Sequence, residues 1–135
     1  MLSLIKRDFN SHVGRVFEDV CKQYLEQKKL APFTRIGAWW GNARDEETKE
    51  KRTEEIDVVS IDENTKTILF AECKWQENVN AASLLDSLKK KTSNVVWCNE
   101  ERKERYALFA KSFKRKIVEE GVYCIDARDL DKTLS

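Results

Sequence analysis

Residues 67–75, TILFAECKW, constrain this chain more than any other stretch. The run from Ile68 to Ala71 is apolar without alternation, so neither side of it is suited to water. Such a run reads as a strand buried on both faces and central in a sheet. It then breaks into Glu72 and Lys74. Strand side chains alternate, so Glu72 and Lys74 share a face with Ile68 and Phe70, about 6.5–7 Å apart along the strand. An unpaired charge in a central strand is costly, so both residues demand a partner or a task.

The rest of the chain supplies elements around that strand. Val13, Val16, Phe17, Val20, Cys21, Tyr24 and Leu25 follow helical spacing. Ser11 is the expected N-cap, and the helix should end near Lys28, before Pro32. Residues 33–40 read as a strand, 42–53 as a solvated, mobile hairpin loop, and 54–61 as a second strand rich in β-branched residues. Asp62 and Asn64 suit a turn before 67–75. A helix is expected over 80–91, with Ala81, Leu84, Leu85 and Leu88 on one face. Residues 93–105 give no clear pattern. A strand follows at 106–110, a helix at 113–120 capped by Gly121, a short strand at 121–126 and a helical turn at 128–132. The order α-β-β-β-α-β-α-β predicts an α/β fold, a mixed central sheet flanked by helices.

With 135 residues, the chain is read as a single domain, 1–135. Lys and Arg number 25 against 24 Asp and Glu, so no global basic field exists and any nucleic-acid contact must come from local patches. No apolar run approaches membrane-spanning length, which predicts no membrane partner. MLSLIKRDFNSH lacks the sustained apolar stretch of a secretory signal. Cys21, Cys73, Cys98 and Cys124 are widely spaced with no C-x-x-C pair, which argues against a zinc site or a disulfide framework and for a reduced, cytoplasmic location.

Asp57 breaks the second strand as Glu72 and Lys74 break the third. Alternation places it on one face with Val59 and Ile61. If the two strands pair through the short turn, Asp57 lies beside Glu72, and two converging carboxylates call for a proton or a cation. Mg²⁺ (or Mn²⁺) suits such a pair, because it binds through one or two carboxylates plus waters and phosphates. Lys74 is placed to hold an attacking water and stabilise developing charge. Glu18 neighbours Gly14, Cys21 and Leu25 on the helical wheel and can look toward the same face. The plainer reading is a strand-end salt bridge with an ordinary flanking glutamate, but the buried TILFA run argues against an exposed edge strand.

At this point the chain resembles a known group. Asp57 followed by Glu72-Cys73-Lys74, after a helix carrying Glu18, is similar to the PD-(D/E)xK nuclease superfamily. GRVFEDVCKQYL (14–25), RIGAWWG (35–41), EEIDVVSI and ILFAECKWQ together resemble the C-terminal domain of archaeal ATPases, domain of unknown function family 234. The resemblance implies a restriction-endonuclease-like core and metal-dependent DNA cleavage. It further implies Asp57 and Glu72 as metal ligands, Lys74 assisting the attacking water and Glu18 as an auxiliary acid. Ile56 stands where the motif name has proline. The archaeal domain follows a P-loop ATPase, but this chain has no G-x-x-x-x-G-K-[ST]. It therefore corresponds to a free-standing version or an excised piece, with a fused or partner ATPase as one expected associate and a homodimer as another.

A rival expectation is a catalytically silent module that binds DNA or regulates such an ATPase. Trp39 and Trp40 are adjacent, so one should face the core and the other outward; Trp75 is expected to pack under the second helix. Lys89–Lys91 and Lys111, Lys114, Arg115 and Lys116 read first as solvated faces and second as phosphate contacts. His12 is the sole histidine and offers no nucleophilic mechanism by itself.

Overall fold

The run 67–75 folds as strand β3 (Thr67–Lys74), buried from Thr67 to Glu72, half-buried at Cys73 and exposed at Lys74. The computed structural model describes residues 2–44 and 51–134, with side chains for 14–41 and 54–133. On one side β3 pairs antiparallel with β2 (Lys51–Asp62), which pairs antiparallel with β1 (Arg35–Arg44). On the other side it pairs parallel with β5 (Lys103–Ala110), and β5 pairs parallel with β7 (Val122–Ile125). The sheet order β1-β2-β3-β5-β7 puts β3 in the centre, as its apolar run predicts.

Each face of this mixed sheet carries its own core. Helix α1 (Leu2–Lys28) sets Phe17, Cys21, Tyr24 and Leu25 against Val58, Leu69, Ala71 and Phe109, with α3 (Ala127–Leu134) closing the layer through Leu130. Helix α2 (Ala81–Thr92) sets Leu84, Leu85 and Leu88 against Ile56, Ile68, Phe70 and Leu108. Full burial of each such side chain contributes about 1.5–3 kcal/mol. Asn80 caps α2, its side chain accepting from the Ser83 N–H at 3.1 Å. The β2–β3 turn is tied by Asp62, which accepts from the Thr65 hydroxyl at 2.6 Å.

Four expectations are corrected. Ser11 lies inside α1, not at its start, because Ile5, Phe9, Val13 and Phe17 extend the apolar stripe at i+4 spacing. The arms of the β1–β2 hairpin reach Arg44 and Lys51, well into the polar stretch expected as loop; residues 45–50 lie outside the described residues. No helix forms over 113–120. Phe113–Arg115 is instead a short strand, β6, paired parallel with β4 (Val79–Asn80). An isolated eight-residue helix has little stability of its own, and the Val79 N–H donating to Ser112 O at 3.0 Å helps hold the strand pair. Gly121, at φ +80°, serves the turn into β7 rather than a helix end.

Candidate functional site

The site forms where β2 and β3 run past the end of their paired stretch. Their last paired residues here are Val58 and Ala71, so the next step of the register sets Asp57 level with Glu72. The aim of Asp57 differs from strict alternation. Opposite β1, Gly37 pairs with Val59 but Trp39 pairs with Ile56, so β2 carries one extra residue at Asp57–Val58. Ile56 accordingly packs on the α2 side and Val58 on the α1 side. Asp57 sits in this bulge, which interrupts the alternation on which its expected shared face with Val59 and Ile61 rests. Bulges re-aim side chains beside functional sites. Here the Asp57 Oδ2 accepts from the Cys73 N–H at 2.9 Å.

Glu72 faces α2, as alternation from Ile68 and Phe70 predicts. Its Oε1 lies 2.8 Å from Lys91 Nζ, and Lys91 also donates to Glu55 O at 3.0 Å. Burial pushes the Glu72 carboxyl up to about 7; the Lys91 ammonium pulls the other way, and the Asp57 carboxylate adds to the rise. Glu18, half-buried on α1, is likewise pushed up to about 7 by burial and then by the Asp57 and Glu55 carboxylates. Glu18, Glu54, Glu55 and Asp57 line an open cleft of about 560 Å³, with Ser87, Lys90 and Lys91 of α2 on its other wall.

Three of the four predicted residues thus meet around Asp57, whose carboxylate is felt by Glu72 on one side and by Glu18 on the other. Lys74 follows Glu72 at the exposed end of β3; its carbonyl accepts from the Gln76 N–H at 2.8 Å, and among the described residues its ammonium has no hydrogen-bond or ion-pair partner. Lys91 was not singled out from its basic run. The signal was present, since Lys91 stands three residues after Leu88 and seven after Leu84, on the apolar stripe of α2. The end of α2 is in turn held by Arg102, whose side chain is 5% exposed. Its guanidinium donates to Thr92 O at 3.1 Å, Val95 O at 2.7 Å and Trp97 O at 3.3 Å, and pairs with Glu104 at 2.8 Å.

A divalent cation fits the donor set. Among the described residues no three acidic, Cys or His side chains close into a ready-made cage. Mg²⁺ does not need one, since one or two carboxylates with waters suffice. Asp57 and Glu72 offer two hard oxygen ligands at one level of the sheet, and their converging negative charge is what such an ion neutralises.

The remaining candidates have structural roles. Trp39 packs into the α2-side core while Trp40 is 64% exposed, as adjacency requires. Trp75 is corrected: it packs on Phe17 of α1 at 4.8 Å, not under α2, because alternation from Glu72 turns it to the opposite face. Lys111 lies 4.5 Å from the Trp75 ring and Lys116 pairs with Asp126 and Asp129, so the second basic cluster is only partly unpartnered. Its hydrogen bond with Cys21 and its burial hold the Cys73 thiol well up, which leaves it a packing residue. His12 lies outside the described side chains.

Fold and site together define a mixed α/β domain with an acid-lined cleft at one end of its central strands. Residues 1–95 match DUF234, described as "Archaea bacterial proteins of unknown function", and since this covers 95 of 135 residues the chain belongs to that family. The matched segment includes Glu18, Asp57, Glu72, Lys74 and Lys91. The chain is also similar to an uncharacterized protein of Methanocaldococcus jannaschii, MJECL04, with 38% identity over 78 residues. That match covers 54% of this chain and 16% of the relative, so the chain spans well under two thirds of the relative's length. No solved structure matches.

Proposed function

We propose that the cleft is a phosphodiester-hydrolysing centre of the PD-(D/E)xK kind, acting on DNA with Mg²⁺ or Mn²⁺. The observation that carries this reading is the convergence of Asp57 and Glu72, delivered by adjacent strands to one level of the sheet. The chain's order supports it too. An antiparallel β1–β2–β3 meander, then a helix and a parallel β5, is the arrangement that the restriction-endonuclease-like resemblance implies. Asp57 and Glu72 would hold the ion, with the Cys73 carbonyl as a further oxygen. Bound there, a divalent ion acidifies a water and polarises a phosphoryl oxygen. Lys74, exposed beside the pair, orients that water. Glu18 is the auxiliary acid, and its raised pKa suits a proton acceptor near neutral pH. The open cleft leaves room for a backbone phosphate between α1 and α2. The free cysteines accord with a reducing, cytoplasmic setting. Among the described residues no helix is long and apolar enough to cross a membrane.

The test is cleavage of duplex, single-stranded and branched DNA with Mg²⁺ or Mn²⁺, beside folded Asp57→Asn and Glu72→Ala variants. The expected outcome is activity that chelation removes and that either variant lowers at least ~100-fold. Full activity in a folded Glu72→Ala variant overturns the reading. A second reading, a catalytically silent DNA-binding or regulatory module attached to or partnering a P-loop ATPase, draws on one observation: an ammonium already occupies Glu72. It predicts no saturable Mn²⁺ binding and full tolerance of Lys74→Ala.

A further inference from the structure

Lys91 is unlike the other lysines of its run. Lys90 reaches only toward Asp86, at 3.8 Å, with both side chains largely exposed, and Lys89 lies over the Tyr106 ring at 5.5 Å. Lys91 instead turns inward. Its Nζ sits 2.8 Å from the Glu72 carboxylate and 3.0 Å from Glu55 O, bridging the strand that carries one candidate ligand to the strand that carries the other. The Glu72 side chain is only 9% exposed, so solvent offers it little compensation and the ammonium is its main counter-charge. The helix end that presents Lys91 is braced by Arg102, so the contact is built into the fold.

Resting on the reading of Asp57 and Glu72 as cation ligands, we infer that Lys91 is a positioning residue that keeps the ion's place on Glu72. It is a tethered cation that a divalent ion must displace before the site loads. Two consequences follow from charge alone. The ammonium and a divalent ion repel at close range, so loading weakens while Lys91 stays on Glu72. The displaced ammonium remains on the cleft wall that Lys91 forms with Lys90 and Ser87, where an anion such as a phosphodiester can receive it. Anionic substrate and divalent ion then favour each other's binding, and the resting protein holds the ion poorly.

The experiment is calorimetric titration of Mn²⁺ at pH 8 into the full chain and its Lys91→Met and Lys91→Arg variants, with folding followed by circular dichroism. Removing one positive charge favours a divalent ion about twice as strongly as a proton, so the direction survives proton competition at Glu72. Lys91→Met should bind Mn²⁺ at least tenfold more tightly than the wild type. Lys91→Arg, which restores the charge, should return to wild-type affinity or weaker. Wild-type binding with an unchanged or weaker Lys91→Met overturns the inference alone. Should Lys91→Met fail to fold, Lys91→Gln takes its place with the same expectation. No binding by any variant overturns both the inference and the cation site on which it rests.

Discussion

At the C-terminal corner, Lys116 Nζ reaches Asp126 at 3.3 Å and Asp129 at 2.7 Å. The two carboxylates also exchange hydrogen bonds with each other's backbone N–H at 3.0 Å, closing a capping box at the start of α3. In the cleft the same ingredients, two carboxylates and a lysine, are arranged differently. Lys91 reaches Glu72 but no bond joins it to Asp57, and Glu18 adds a third acid. Burial raises Asp129, yet Lys116 and the Asp126 N–H overcome it and hold the carboxyl below its usual range. In the cleft, burial and like charge win, and Glu72 and Glu18 rise to about 7. Completed ion clusters stabilise folds, and incompletely neutralised ones accompany function. By that contrast the corner reads as architecture, and the cleft carries the imbalance that the proposed site requires.

The contrast can be broken by substitution. The largest expected effect is on cleavage: Asp57→Asn should lower it at least ~100-fold, whereas Asp129→Asn should change it less than about twofold in a folded protein. Next is stability at pH 8, read by urea unfolding. Glu72→Gln mimics the protonated acid that the fold prefers and should stabilise by on the order of 2 kcal/mol. Asp129→Asn removes a satisfied charge and should destabilise by about 1 kcal/mol. A gain at the corner or a loss in the cleft would erase the distinction.

The pH profile sharpens it further. Glu72 and Glu18 have folded pKa values above those of the unfolded chain, so the native state holds more protons between about pH 4.5 and 7. Their contribution to stability is therefore present in acid and declines as pH rises through that window. Glu72→Gln should flatten this decline. Asp129, with its folded pKa depressed, acts oppositely: its contribution stands above the unfolded pKa and is lost as pH falls through the folded one. Thermal unfolding across pH 3 to 8 separates the two signs. The smallest effect is expected at Lys90, whose pair with Asp86 is exposed on both sides; Lys90→Ala should shift stability by less than about 0.5 kcal/mol.

Much of this site was legible in the residues. The unbroken apolar run before Glu72 points to a central strand, and alternation sets Glu72 on the face of Ile68 and Phe70. Which helix covers that face is not written in the strand, so the expectation that Trp75 packs under α2 has the two faces exchanged. The short turn at Asp62 brought β2 alongside, so the pairing of Asp57 with Glu72 followed. The aim of Asp57 did not, because period-two counting assumes an unbroken strand and the extra residue in β2 shows only when β1 is paired against it. Lys91 was hidden differently. Three consecutive lysines look like a solvated face, although the helical stripe singles out the third. Residues 113–120 carry helix-forming side chains, but their fate is decided by β4, a two-residue partner more than thirty positions away.

Arg102 touches none of the acids, yet the cleft depends on it. Its fork gathers the carbonyls of Thr92, the last residue of α2, and of Val95 and Trp97 beyond it, and so braces the helix end that carries Lys91. The effective concentration of ammonium at that carboxylate is thus governed by a residue outside the charge cluster. Slack at this anchor would dilute the contact while leaving every cleft side chain in the sequence. Lysine at 102 would keep the charge but surrender the fork. If Lys91 competes with an ion for Glu72 as inferred above, the balance between resting and loaded states is open to tuning from the opposite end of the loop, one carbonyl at a time.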